Sequence, residues 1–125
     1  MTVGTDIFTK LTTDPGVSAI VSVRVYPGHF KQQGTKPAIR YNRLSSVNYL
    51  TMSVDTGIER IRYQIDAIAA TYAEVDALRD ATKSALRRWR KTGIQDTYFI
   101  SESDIFDDET RLYRVRMDFD IIAEE

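Results

Sequence analysis

The chain has 125 residues, enough for one domain with one independent core. Its 17 basic and 18 acidic side chains leave a net charge of −1, which argues against a protein whose main task is coating nucleic acid. It has no cysteine, so disulfides and thiolate zinc sites are excluded.

The first ten residues include Asp6 and lack a basic region followed by an apolar run, so no secretory leader is expected. Residues 6–11 predict a short helix with Ile7, Phe8 and Leu11 on one side. Asp14-Pro15-Gly16 predicts a second helical start, with Asp14 as N-cap, Pro15 at the first helical position and Val17, Ile20 and Val21 as its apolar face. Tyr26-Pro27-Gly28 is a break, and residues 28–36 form a polar loop. A strand is expected over 37–46, with Pro37 at its start, where a missing N–H does least harm. Residues 45–57 then predict a turn or long hairpin loop. The strand expected over 58–70 is clearer. Ile61, Tyr63, Ile65, Ala67 and Ala69 alternate with Arg60, Arg62, Gln64 and Asp66, as in a sheet covered on one face.

Thr71-Tyr72-Ala73-Glu74 matches a capping box. Val75, Leu78, Thr82, Ala85, Leu86 and Trp89 follow at helical spacing, and Gly93 is placed to end a helix on the order of 30 Å long. Arg87, Arg88, Arg90 and Lys91 would lie near its negative end. Strands are expected over 95–103 and 111–123, joined by an acidic loop around Asp107, Asp108 and Glu109. In the last strand Tyr113, Val115, Met117, Phe119 and Ile121 alternate with Arg114, Arg116, Asp118 and Asp120. The expected class is α+β: a four-stranded, mainly antiparallel sheet with one long helix packed on one face, plus short N-terminal helices, in a single domain over 1–125. The strand order stays open.

No constellation for catalysis emerges, and no enzyme activity, cofactor or metal is expected. His29, the single histidine, has no orienting partner in its loop and reads as an ordinary loop residue. Glu102, Asp104, Asp107, Asp108 and Glu109 are carboxylates of the kind hard cations prefer, yet they miss the twelve-residue calcium-loop pattern and read as a solvated acidic loop. No Gly-x-Ser-x-Gly elbow and no phosphate-cradling glycine loop is present. Arg87-Arg88-Trp89-Arg90-Lys91 combines basic and aromatic groups as single-stranded nucleic acid prefers, but Trp89 falls on the apolar stripe and reads as core. The polar face of the last strand shows charges in place of stacking aromatics, which counts against RNA binding. Two readings remain for Arg60, Arg62, Arg114 and Arg116: cross-strand pairing, or contact with another subunit. Likewise a basic segment at 87–91 and an acidic one at 107–109 suit head-to-tail association into a ring, or contact within one chain.

Several blocks in order resemble the small tail-completion protein family of long-tailed phages. They are Arg24-Val25-Tyr26-Pro27-Gly28, Pro37-Ala38-Ile39-Arg40-Tyr41-Asn42-Arg43, Gln64-Ile65-Asp66, Ala70-Thr71-Tyr72-Ala73-Glu74, Asp104-Ile105-Phe106 and Glu109-Thr110-Arg111-Leu112-Tyr113-Arg114, followed by Asp118-Phe119. The resemblance implies a structural virion protein at the head-proximal end of the tail. It implies a homo-oligomeric ring of six that caps the tail tube and docks the head–tail connector, with no catalytic residues. A neighbouring connector or minor tail protein is the nearest alternative, and a small nucleic-acid-binding module is the alternative from another class. No membrane partner is expected, since no stretch approaches the roughly 20 apolar residues that span a bilayer. Subunit contacts are expected at the charged residues named above and in the loops 28–36 and 45–57.

Overall fold

The computed structural model describes residues 3–22, 24–28, 37–50, 55–109 and 111–124. Three helices lie against a five-stranded sheet. The order is α1 (Val3–Thr13), α2 (Pro15–Val21), β1 (Val25–Pro27), β2 (Ala38–Leu50), β3 (Asp55–Ala69), α3 (Tyr72–Leu86), β4 (Ile94–Asp107) and β5 (Leu112–Glu124). The sheet runs β1-β2-β3-β5-β4. It is mixed, because β1 pairs parallel with β2 while every other pairing is antiparallel.

The α+β class stands, and the sheet has one strand more than the four expected. The fifth, β1, is only three residues long and ends in proline. Too short to show a period, it exists because Val25–Pro27 align with Ile39, Arg40 and Tyr41. The expected loop over 45–57 is also corrected. β2 continues to Leu50 and β3 begins at Asp55, so most of that segment is a paired hairpin arm. Ser45 to Asn48 are exposed, so burial imposes no alternation on the sequence there.

Packing follows the alternation closely. Ile61, Tyr63, Ile65, Ala67 and Ala69 of β3 are buried beside Val115, Met117, Phe119, Ile121 and Ala123 of β5. The helices cover this face. Val3, Ile7 and Leu11 are buried from α1, Val17 and Val21 from α2, and Val75, Leu78, Ala85 and Leu86 from α3. Phe8, placed by spacing near Ile7, is instead exposed. Burying one such apolar side chain contributes about 1.5–3 kcal/mol, so these layers hold the helices to the sheet.

Local chemistry sets the helix starts. Asp14 accepts from the Val17 N–H at 3.2 Å, with Pro15 in the first turn of α2. Thr71 Oγ1 accepts from the Glu74 N–H at 3.2 Å, and its hydroxyl donates to the Glu74 carboxylate at 2.9 Å. The end of α3 differs from expectation. The helix stops at Leu86, about 22 Å from its start at 1.5 Å per residue. Arg88 adopts a left-handed φ of 60° and its N–H donates to the Thr97 carbonyl at 2.8 Å. Gly93, with φ 89°, serves the tight turn where Lys91 bridges to Ile94. Trp89 still packs partly buried against the core, carried there by the turn in place of the helix.

Candidate assembly surfaces

Helices cover one face of the sheet only, so the opposite face must solve the burial of its own polar side chains. It does so with ion pairs across strands. Asp66, fully buried, pairs with Arg40 of β2 and accepts from Gln64 at 3.2 Å. Arg62 grips Asp120 with two hydrogen bonds, Nε to Oδ1 at 2.8 Å and Nη2 to Oδ2 at 3.1 Å. That hydrogen bond first, and the carboxylate charge second, push the Arg62 pKa further above its ordinary range. Arg60 and Arg116 are exposed and form no ion pair with another described residue. Arg114 is half-buried, and its Nε has no hydrogen-bond partner among the described residues.

The basic residues after α3 wrap around the outer edge of β4. Arg88 Nη2 lies 2.8 Å from Asp96 Oδ2, Arg90 Nη2 lies 3.4 Å from the same oxygen, and the Arg88 guanidinium sits 5.3 Å over the Tyr98 ring. Lys91 Nζ reaches Asp6 of α1 at 2.7 Å. Arg87 remains exposed. Of the basic group, then, three members are engaged inside the chain, with partners other than the acidic hairpin. Asp107, Asp108 and Glu109 form the β4–β5 turn at the far end of the 14-residue β4, on the order of 40 Å away at ~3.3 Å per residue. There the Glu109 N–H donates to Asp107 Oδ1 at 3.0 Å. Sequence spacing hides Asp6 and Lys91, which are 85 residues apart. Asp96 carried a usable signal, since a tight turn at 91–94 must fold 88–90 back onto it.

Among the described residues no three carboxylates or histidines converge as metal ligands. His29 and the rest of the loop 29–36 lie outside the described residues. What the described surface offers is different: one long edge strand, β4, and exposed apolar side chains. Leu44 and Val47 stand out from β2, and Tyr98, Ile100 and Phe106 from β4.

The class defined in this way is an α+β domain with helices on one face of its sheet and cross-strand ion pairs on the other. The chain belongs to the tail completion protein family: the profile described as "Tail completion protein gp17" matches residues 5–124. It is thus a structural protein of the phage tail, located in the virion. Its fold is similar to that of a chain in the virion of a native gene transfer agent particle, with a TM-score of 0.78 over 95% of this chain and 92% of that one. The two are 16% identical, so this likeness concerns the fold alone. In all, 23 chains of solved structures match. No curated protein matches in sequence.

Proposed function

We propose that this protein completes the tail by closing as a sixfold ring on the head-proximal end of the tail tube, where it halts growth and presents the surface that docks the head–tail connector. The observation that carries this reading is the family match over 5–124. On this reading the protein acts by shape and charge complementarity and not by catalysis. The whole chain acts as one domain. Arg60, Arg116 and Arg87, exposed on the surface, and Asp108 and Glu109 at the hairpin tip are the charged groups best placed to meet a neighbouring protein. Arg62, Arg88, Arg90 and Lys91, each ion-paired within the chain, serve first to hold the subunit in shape, and contribute to contacts through that shape.

Electron microscopy of a lysate lacking this gene tests the reading. Filled heads lying apart from unjoined tails are the expected outcome, and overlong tails would add the role in stopping growth. Joined, infectious particles of normal tail length would overturn it.

A further inference from the structure

β4 carries three aromatic side chains, Tyr98, Phe99 and Phe106, each with a carboxylate near it in sequence. Two of the three are already engaged by a cation of this chain. Lys83 Nζ lies 4.5 Å over the Phe99 ring and 3.4 Å from Glu102. Arg88 lies 5.3 Å over the Tyr98 ring and 2.8 Å from Asp96. The arrangement is the same in both: a ring and a carboxylate share one cation, which the ring attracts through its negative face. The third ring stands at the far end of the strand. Phe106 and Asp104 are two residues apart, opposite Tyr113 and Val115 of β5, so both lie on the helix face of the sheet.

Phe106 lines a cavity of about 230 Å³ together with Asp104, the buried Val75 and Val115, and two further rings, Tyr72 and Tyr113. Phe106 and Tyr113 are 4.8 Å apart, and Tyr72 meets Tyr113 edge-on at 5.9 Å. Tyr72 and Phe106 are exposed, so the aromatic wall opens to the surface. The cavity is smaller than the roughly 300 Å³ at which small-molecule pockets begin, and suits a single side chain. Among the described residues no cation lies over any of the three rings, and Asp104 has no ion pair. Asp108 and Glu109, exposed at the adjoining turn, form no ion pair with a described residue either. Arg111 follows in that turn and Arg114 also lines the cavity, but neither guanidinium lies over these rings or pairs with a described carboxylate. The positive end of α3 at Tyr72 is offset by Glu74 in the first turn.

We infer that this cavity is a binding site for a cationic side chain, arginine or lysine, presented by a neighbouring protein of the tail. The alkyl stem packs on Val75 and Val115, and the charged head lies against the aromatic wall. Asp104 completes the contact as Glu102 does for Lys83. Asp108 and Glu109 beside it draw a basic surface and repel an acidic one, which selects the partner. The occupant rests on the reading of this chain as an assembly component. The site itself does not depend on a ring of six, so the two are tested by different measurements.

Nuclear magnetic resonance of the full chain tests the site, with n-butylguanidinium as the probe and n-butylurea as its neutral counterpart. The ring resonances of Tyr72, Phe106 and Tyr113 should respond to the guanidinium at concentrations at least about threefold below those the urea requires, the factor one exposed cation–ring contact provides. Asp104→Asn, at an exposed position, should abolish that advantage, and Tyr72→Leu, also exposed, serves where the first variant does not fold. Equal response to both probes, response to neither, or preference for n-pentanoate overturns the cation site. In assembled tails, Phe106→p-benzoylphenylalanine should form its adduct beside an arginine or lysine of a neighbouring protein, located by mass spectrometry. An adduct only to a segment without a cation overturns the occupant. Each of these failures leaves the ring reading to the lysate lacking this gene.

Discussion

The two faces of the sheet are made from the same strands in alternate residues, yet they are held by different physics. Under the helices, Ile65, Met117, Phe119 and Ile61 are fully or almost fully buried, and apolar burial with close packing does the holding. On the opposite face Asp66 and Asp120 are also buried, but there each needs a specific arginine. A packed face tolerates a change of shape or volume poorly, because its side chains fill the space under the helices. An ionic face tolerates the joint loss of both partners better than the loss of one. Substitutions that distinguish these cases would sharpen or break the contrast.

The largest effect is expected from Phe119→Ala. The ring is fully buried and meets Phe99 edge-on at 5.6 Å. Truncation removes that burial and leaves a cavity, at a cost of about 4 kcal/mol in unfolding free energy, measured by urea denaturation. A loss under about 1 kcal/mol would mean that the helix face is not a packed core. The second effect is expected on the other face. Asp66→Ala leaves Arg40, a quarter exposed, without its carboxylate, and should cost roughly 2 kcal/mol, less than for a fully buried pair because Arg40 can turn to water. The double variant Asp66→Leu, Arg40→Leu should recover most of this in the same measurement. Additive losses would show that the pair is not the unit of stability.

The same contrast explains what the sequence made legible. β3 and β5 alternate strictly because each has one face under the helices, so their elements and core residues can be read directly. The capping box at Thr71 and the N-cap at Asp14 are local and equally plain. Where both faces of a strand are exposed, as in β2 beyond Tyr41, no alternation is required and Ser45, Ser46 and Asn48 read as loop. There the ladder to β3 supplies the structure. The early stop of α3 was hidden because Trp89 keeps helical spacing from Leu86 while the backbone has already turned, with the Trp89 N–H on the Leu86 carbonyl at 3.1 Å. Of the candidate contact residues, identity as exposed or engaged could not be read, since it depends on which strands become neighbours. The alternatives left open for Arg62 resolve toward cross-strand pairing with Asp120.

The smallest effect is confined to acid and concerns the segment that covers the start of β4. Burial alone would raise the pKa of Asp96, but the Thr97 N–H at 2.9 Å, the hydrogen bond from Arg90 and the charges of Arg88 and Arg90 outweigh it and hold the carboxyl below its ordinary value of 3.8. A carboxylate depressed by folding stabilises the protein fully above its unfolded pKa, and that contribution is lost as pH falls through the folded one. Asp96→Asn should therefore differ from the parent by a constant amount above about pH 5, and the difference should shrink below the unfolded value. A difference in denaturation midpoint that persists unchanged into strong acid would show that the ionised carboxylate is not what the arginines hold. The consequence extends beyond stability. With the arginines released, the Arg88 amide should lose its carbonyl partner on Thr97 more often and exchange its hydrogen faster.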